Sequence, residues 1–154
     1  MAAGDVHIMA SYLSSGSNLW ASDTIKCALV SSSTTPSKSD SNACWGAGGA
    51  QNYSTNECAS GGNYVGGGFS LTGNTIVGSG GVQALNTTSP VSWAANASNP
   101  TNARWGIFYD NTLANKNVVG YVDLGALTSL VPGLQINLDG LASGVVPLFT
   151  LTAS

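Results

Sequence analysis

The residue types that support acid–base and nucleophilic chemistry are scarce in this chain. His7 is its one histidine and lies in the N-terminal segment. Serines are abundant, but none stands in the Gly-x-Ser-x-Gly turn that exposes a nucleophile in hydrolases. Because a Ser-His-Asp triad needs a base held between the other two groups, the sequence does not predict a serine hydrolase.

The carboxylates define no site either. Glu57 is the one glutamate, and Asp110, Asp123 and Asp139 lie 13 and 16 residues apart near predicted strand ends. A glycosidase needs paired carboxylates, and a calcium loop needs a dense Asp-x-Asp-x-Asp-Gly run, which this chain lacks. The preference of Asp for turns accounts for Asp110 and Asp139. The sequence therefore predicts no catalytic residues, no metal site and no cofactor.

Cys27, Cys44 and Cys58 have no zinc-ligand spacing and no histidine nearby. The N-terminus lacks the basic and apolar regions of a secretory signal, which predicts synthesis in the cytoplasm, a reducing compartment. Small buried or loop thiols are expected. A Cys44–Cys58 bridge that forms later in an oxidising medium is the alternative.

Trp20, Trp45 and Trp93 could stack on sugar rings, and loops rich in Asn, Ser and Gly suit the recognition of hydroxyl groups. Trp93 and Trp105 fall in predicted strands and are expected in the core. Trp45 lies in a long polar segment. It is therefore the candidate glycan contact if the protein binds carbohydrate.

Low charge excludes two classes of partner. The chain has four Lys or Arg and seven Asp or Glu, a net charge of −3, while Ser, Thr and Asn make up 48 of 154 residues. Charged residues are 7% of the chain, against about 25% in an ordinary soluble domain. Scattered cations provide no electrostatic surface for nucleic acid or for an anionic membrane, so we expect neither as a partner.

The pattern along the chain predicts a single antiparallel β-sandwich, jelly-roll-like, because short apolar stretches alternate with turn residues. An extended N-terminal arm is predicted at 1–22 and the sandwich domain at 23–154, with a long loop at 32–62. A helical turn is predicted near 125–130. Strands are predicted at 24–31, 63–71, 75–77, 90–95, 103–109, 117–124, 134–138 and 146–152.

The order of these pieces resembles the head decoration, or cement, proteins of tailed bacteriophages. The resemblance covers residues 24–142, and its most telling stretches are Trp105–Asp110 and Val118–Gly125. The pieces that carry it are IKCALVSS, NYVGGG, VSWAAN, ARWGIFYDNT, NVVGYVDLG and PGLQINLDG. The resemblance implies a sandwich or jelly-roll subunit on the capsid surface of the virion, often a homotrimer, with the major capsid protein as its partner. It transfers no catalytic residue.

Two functions are carried forward as hypotheses. The first is a non-enzymatic virion structural protein that binds the outer surface of a capsid and stabilises it. The second is a carbohydrate-binding adhesin, or a tail-fibre or tail structural domain, with Trp45 as the possible glycan contact. For the first, we expect capsid or inter-subunit contact from the apolar residues of the arm: Val6, Ile8, Tyr12, Leu13 and Trp20.

Overall fold

The computed structural model describes residues 6–8, 21–46, 48, 51–79, 82–88, 90–136 and 147–152. These residues form strands and one 3₁₀ turn, Tyr53–Asn56, with no α-helix among them. The prediction of an all-β protein is therefore confirmed. The strands are β1 (Val6–Ile8), β2 (Ile25–Val30), β3 (Ala43–Cys44), β4 (Gln51–Asn52), β5 (Phe69–Ser70), β6 (Thr75–Ser79), β7 (Val82–Asn86), β8 (Val91–Trp93), β9 (Ala103–Asp110), β10 (Val118–Thr128), β11 (Leu134–Ile136) and β12 (Pro147–Thr152).

Five strands form the central sheet, in the order β1-β10-β9-β2-β5, with every pair antiparallel. Its middle strand, β9, is buried at every position except Arg104, which is half-buried. A strand covered on both faces has an almost continuous apolar sequence, and β9 has such a sequence. The predicted face of Trp105, Ile107 and Tyr109 is therefore buried, and so is the opposite face.

Different parts of the chain cover the two faces of this sheet. On one face, Ile136 of β11 packs over Gly106, and the rings of Trp93 and Phe69 meet edge to face with centroids 6.2 Å apart. Tyr109 lies an odd number of residues from Gly106, so its side chain points to the other face. There it stacks on Trp45.

Residues 31–46 and 51–58, which we call the covering segment, close this second face. They contain the parallel pair β3–β4 and the 3₁₀ turn. Ala43, Trp45 and Tyr53 of this segment are buried in the main core. The region predicted as a long loop thus supplies a layer of core side chains, although its apolar residues follow no regular period.

The remaining strands pair in two smaller sheets, β12-β7-β6 and β11-β8. The β8–β11 pair lies over the central sheet, and β12 passes close to β1. The described pairs other than β3–β4 are antiparallel.

Two local predictions are wrong. The strand predicted at 63–71 is reduced to Phe69–Ser70, because Gly67 and Gly68 adopt positive φ angles of +82° and +74° that interrupt extended backbone. The helical turn predicted near 125–130 is the continuation of β10 to Thr128, with a bulge between Asp123 and Thr128. Irregular pairing at such a bulge weakens the alternation that marks a strand in a sequence.

Candidate functional site

The predicted contact residues of the arm are only partly within the described residues. Val6–Ile8 forms β1, which pairs with the edge of β10 in the register Val6↔Val122, His7↔Tyr121 and Ile8↔Gly120. This part of the arm is thus a strand of the central sheet. Tyr12, Leu13 and Trp20 lie outside the described residues. A contact between the arm and a capsid stays a prediction.

Trp45 is not the exposed aromatic residue that a glycan site would need. Its side chain is 4% exposed, and its ring stacks on Tyr109 with centroids 5.0 Å apart and planes 10° from parallel. The candidate glycan contact is therefore a buried residue, and one face of its ring is covered by Tyr109. The physical reason is that the sheet face below Trp45 is apolar, so burial of a large aromatic ring against it is favourable.

The predicted core positions of Trp93 and Trp105 are confirmed, at 4% and 6% exposure. Trp93 contacts Tyr64, with centroids 5.7 Å apart. Beside Trp93 runs an open groove of about 340 Å³ between β8 and β11, lined by residues 92–95 and 132–135. Its polar side chains, Ser92 and Gln135, come from paired positions of the two strands.

Glu57 holds the glycine-rich turn that precedes β5. Its Oε1 atom accepts hydrogen bonds from the Tyr64 hydroxyl at 2.9 Å and from the backbone N–H of Gly67 at 2.6 Å. Tyr109 donates from its hydroxyl to the carbonyl of Gly67 at 2.8 Å. Burial is the main cause that raises the pKa of Tyr64 and of Tyr109, and the charge of Glu57 adds to it. Both phenols therefore stay protonated donors.

Two further carboxylates form hydrogen bonds with neighbouring groups of the chain. Asp40 accepts from the backbone N–H of Ser37 at 3.1 Å and from the hydroxyl of buried Tyr53. Asp123 forms an ion pair with Arg104 across the β9–β10 pair and accepts from the backbone N–H of Gly125 at 2.6 Å. The Arg104 guanidinium is the main cause that holds the pKa of Asp123 below its usual value.

Asn99 connects three loops at one end of the molecule, and nothing in the sequence marked it beyond the Asn-Pro turn. It is 4% exposed. Its side-chain Nδ2 donates to the carbonyls of Ala94 at 2.9 Å and Leu130 at 2.7 Å, and its Oδ1 accepts from the N–H of Asn63 at 2.7 Å. Its partners lie as far as 36 residues away, so a local sequence pattern cannot reveal them.

This end of the molecule carries exposed apolar side chains. Val65 is 69% exposed and Val131 is 36% exposed. They lie on loops that Asn63 and Asn99 join to Ala94 and Leu130. This end of the molecule therefore exposes valine side chains on loops that hydrogen bonds hold together.

The three thiols are buried and free, as the sequence predicts. Burial raises the pKa of Cys58 to about 11 and that of Cys27 further still. Because the thiolate is the nucleophile, neither group is activated for chemistry at neutral pH.

Within the described ranges, no three His, Cys, Asp or Glu side chains come together as a metal site. The same residues include no helix that is long and apolar enough to cross a membrane.

No protein-family model, no curated protein and no solved structure matches this chain.

Proposed function

We propose that this protein is a non-enzymatic decoration protein, which binds the outer surface of a phage capsid and stabilises it. The proposal includes a β-sandwich of jelly-roll type, assembly as a homotrimer, and the major capsid protein as partner. It rests on the resemblance in residues 24–142 and is compatible with the all-β fold described above.

The structural observation that supports the proposal is that acidic side chains bind backbone groups of their own chain. Glu57, Asp40 and Asp123 each hold a loop or turn of their own chain through hydrogen bonds to backbone N–H groups. Such ties are suited to a protein that must keep its shape outside the cell. The abundant Ser, Thr, Asn and Gly provide a solvated surface with few groups that titrate, so binding by shape and apolar contact is little affected by salt.

The mechanism is mass action. A protein that binds the assembled shell but not its separated subunits stabilises the shell by RT ln(1 + [L]/Kd), about 2.7 kcal/mol when the free protein is at a hundredfold excess over Kd. Apolar area buried at the interface contributes roughly 25 cal/mol per Å² before the costs of association are subtracted.

The arm is our candidate for the contact. Among the described residues, its strand Val6–Ile8 pairs with β10 at three positions. Extended segments readily add to the edge of a neighbour's sheet. Tyr12, Leu13 and Trp20, further along the arm, would then contribute apolar side chains to the interface.

Co-sedimentation tests the proposal. The purified protein is mixed with expanded heads that lack it, with isolated tails, and with bacterial surface polysaccharide. We expect saturable binding to heads at a fixed ratio to the major capsid protein, a ratio that also gives the copy number. Binding to tails or polysaccharide, with none to heads, would replace this proposal by the adhesin or tail function.

A pair of truncations tests the arm. Deletion of residues 1–20 removes all five predicted contact residues and should abolish binding to heads, whereas deletion of residues 1–5 keeps them and should bind as the full chain does. Circular dichroism shows whether each truncated protein keeps its β structure. Full binding by a folded protein without residues 1–20 would overturn the role of the arm.

One observation favours the carbohydrate alternative, namely the groove beside Trp93. Ser92 and Gln135 place a hydroxyl and an amide beside an open surface lined by residues 92–95 and 132–135. If polysaccharide binds, we expect Gln135→Ala to weaken it and Trp45→Phe, at a buried position, to leave it unchanged.

A further inference from the structure

Asp23, Asn74 and Asp110 meet at one end of the central sheet, although they come from three separate segments. Asp23 lies two residues before β2, and Asp110 ends β9 opposite Ile25 in the antiparallel register. Asn74 immediately precedes β6, and its Nδ2 donates to the backbone carbonyl of Asp23 at 3.5 Å. The pairing of β2 with β9 therefore brings the segment that holds Asp23 next to Asp110, and the Asn74 amide contacts the backbone of Asp23.

Two oxygen atoms of this cluster lack a partner. Asp23 Oδ2 and Asn74 Oδ1 are each fully buried, and neither accepts a hydrogen bond. A buried acceptor left in this way costs free energy, and the cost is larger when the acceptor is charged. Such atoms commonly indicate an ion or water that satisfies them.

The third residue, Asp110, is completely buried. Its Oδ1 accepts from the backbone N–H of Thr112 at 3.0 Å. Its carboxyl group also lies within hydrogen-bonding reach of the Asp23 carboxyl. Two carboxylates this close repel each other when both are charged, and a cation between them would compensate both charges.

We propose that Asp23, Asn74 and Asp110 form a binding site for a divalent cation, and that the cation is Ca²⁺. All three residues offer oxygen ligands, which Ca²⁺ prefers, and Ca²⁺ accepts irregular sets of carboxylate, amide and water oxygens more readily than Mg²⁺ does. The ion would satisfy both orphaned oxygens and compensate the paired charges. This inference is independent of the proposed decoration function.

The position of the site gives the ion a structural effect. It would link the start of β2, the end of β9 and the segment that leads into β6, and so join the central sheet to the β12-β7-β6 sheet. A ligand that binds only the folded chain raises its stability. Calcium is therefore expected to raise the melting temperature.

The test is calorimetric titration of the full chain, stripped with chelator, with CaCl₂ at neutral pH, together with thermal melts. We expect saturable binding of one ion per chain and a higher melting temperature. Asp23→Asn should lower the affinity at least about tenfold. It should still fold, because it removes one of two neighbouring carboxylates. Asn74→Ala, which changes no charge, should also weaken binding.

Asp40→Asn is the matched control. It removes one carboxylate from the covering segment, where Asp40 bonds to Ser37 and Tyr53, and should keep the affinity of the unaltered chain. The site is overturned if millimolar CaCl₂ produces neither saturable heat nor a shift in melting temperature, the result that a proton shared by the two carboxyl groups would give. It is also overturned if Asp23→Asn and Asn74→Ala bind as tightly as Asp40→Asn.

Discussion

At the residue scale, Gly68 shows how closely the glycine-rich turn fits the sheet. Its φ angle is +74°, and a methyl group added there would lie 2.0 Å from the carbonyl oxygen of Cys27 in β2. Both the strained backbone and the clash oppose any side chain. We expect Gly68→Ala to lower the free energy of unfolding by at least about 2 kcal/mol, as measured by urea denaturation.

Gly66, two residues earlier, provides the control. The nearest atoms to a methyl group there are Ser60 Oγ, at 3.1 Å, and the Glu57 carboxylate oxygens, and the φ angle of Gly66 is not in the left-handed region. Gly66→Ala should cost less than about 1 kcal/mol. Equal losses for the two variants would contradict the close approach of Gly68 to β2.

The Arg104–Asp123 pair governs stability in acid. Arg104 holds the folded-state pKa of Asp123 below the usual 3.8, so the ionised carboxylate contributes stability above that value, and this contribution is lost as the pH falls through the folded-state pKa. The Arg104→Gln substitution removes the positive charge that lowers the pKa of Asp123. We expect the variant to lose about 1–3 kcal/mol of unfolding free energy at neutral pH.

The pH series separates this charge effect from packing. The Arg104 guanidinium also lies 4.2 Å from the Trp105 ring centroid, and loss of that contact is the same at every pH. Urea melts from neutral pH to pH 3 should therefore show the difference between Arg104→Gln and the unaltered chain narrowing as Asp123 becomes protonated. A constant difference would mean that the ion pair does not contribute.

At the scale of elements, the covering segment is the region whose structure is predicted least well from the sequence. Its side chain Trp45 closes one face of the central sheet by stacking on Tyr109. We expect Trp45→Ala to cost about 3–5 kcal/mol of unfolding free energy. Trp45→Phe keeps an aromatic ring and should cost distinctly less. Near-neutral behaviour of Trp45→Ala in urea denaturation would show that the segment does not belong to the core.

The strands that could be predicted are those whose own residues carry the signal. β2, β9 and most of β10 have apolar runs that stay buried in any arrangement of a sheet, and their predicted bounds agree with the structure within a few residues. The strand at 63–71 was predicted wrongly because the apolar residues around Gly67 and Gly68 suit a strand, whereas Glu57, ten residues before Gly67, fixes a turn. A distant hydrogen bond of this kind leaves no periodic signal.

The same reason limits prediction of the sites. Asp110 was interpreted as a turn residue, and its Oδ1 does accept from Thr112 N two residues on. Its neighbours Asp23 and Asn74 come from 87 and 36 positions away in the chain, and only the strand pairing brings them together. Trp45 is a candidate glycan contact in the sequence because its neighbours along the chain are polar, whereas in the structure its ring packs on Tyr109.

At the scale of the whole molecule, the all-β fold joins its N-terminal strand to a sheet whose middle strand is buried on both faces. Under the proposed function, such a subunit acts by its surface, as a clamp between capsid subunits. Its oligomeric state follows from the same proposal, and sedimentation velocity of the free protein should show a trimer. A protein that stays monomeric at all concentrations would contradict the proposed trimer.

The central claim is that the protein stabilises an assembled shell, and the most direct test is the disruption temperature of expanded heads that lack it. Heads are heated with increasing amounts of the protein, and with the variant that lacks residues 1–20 as control. We expect the disruption temperature to rise with the concentration of the full chain until the sites are saturated, and the truncated chain to have no effect. A disruption temperature that stays unchanged at saturating concentrations of the full chain would contradict it.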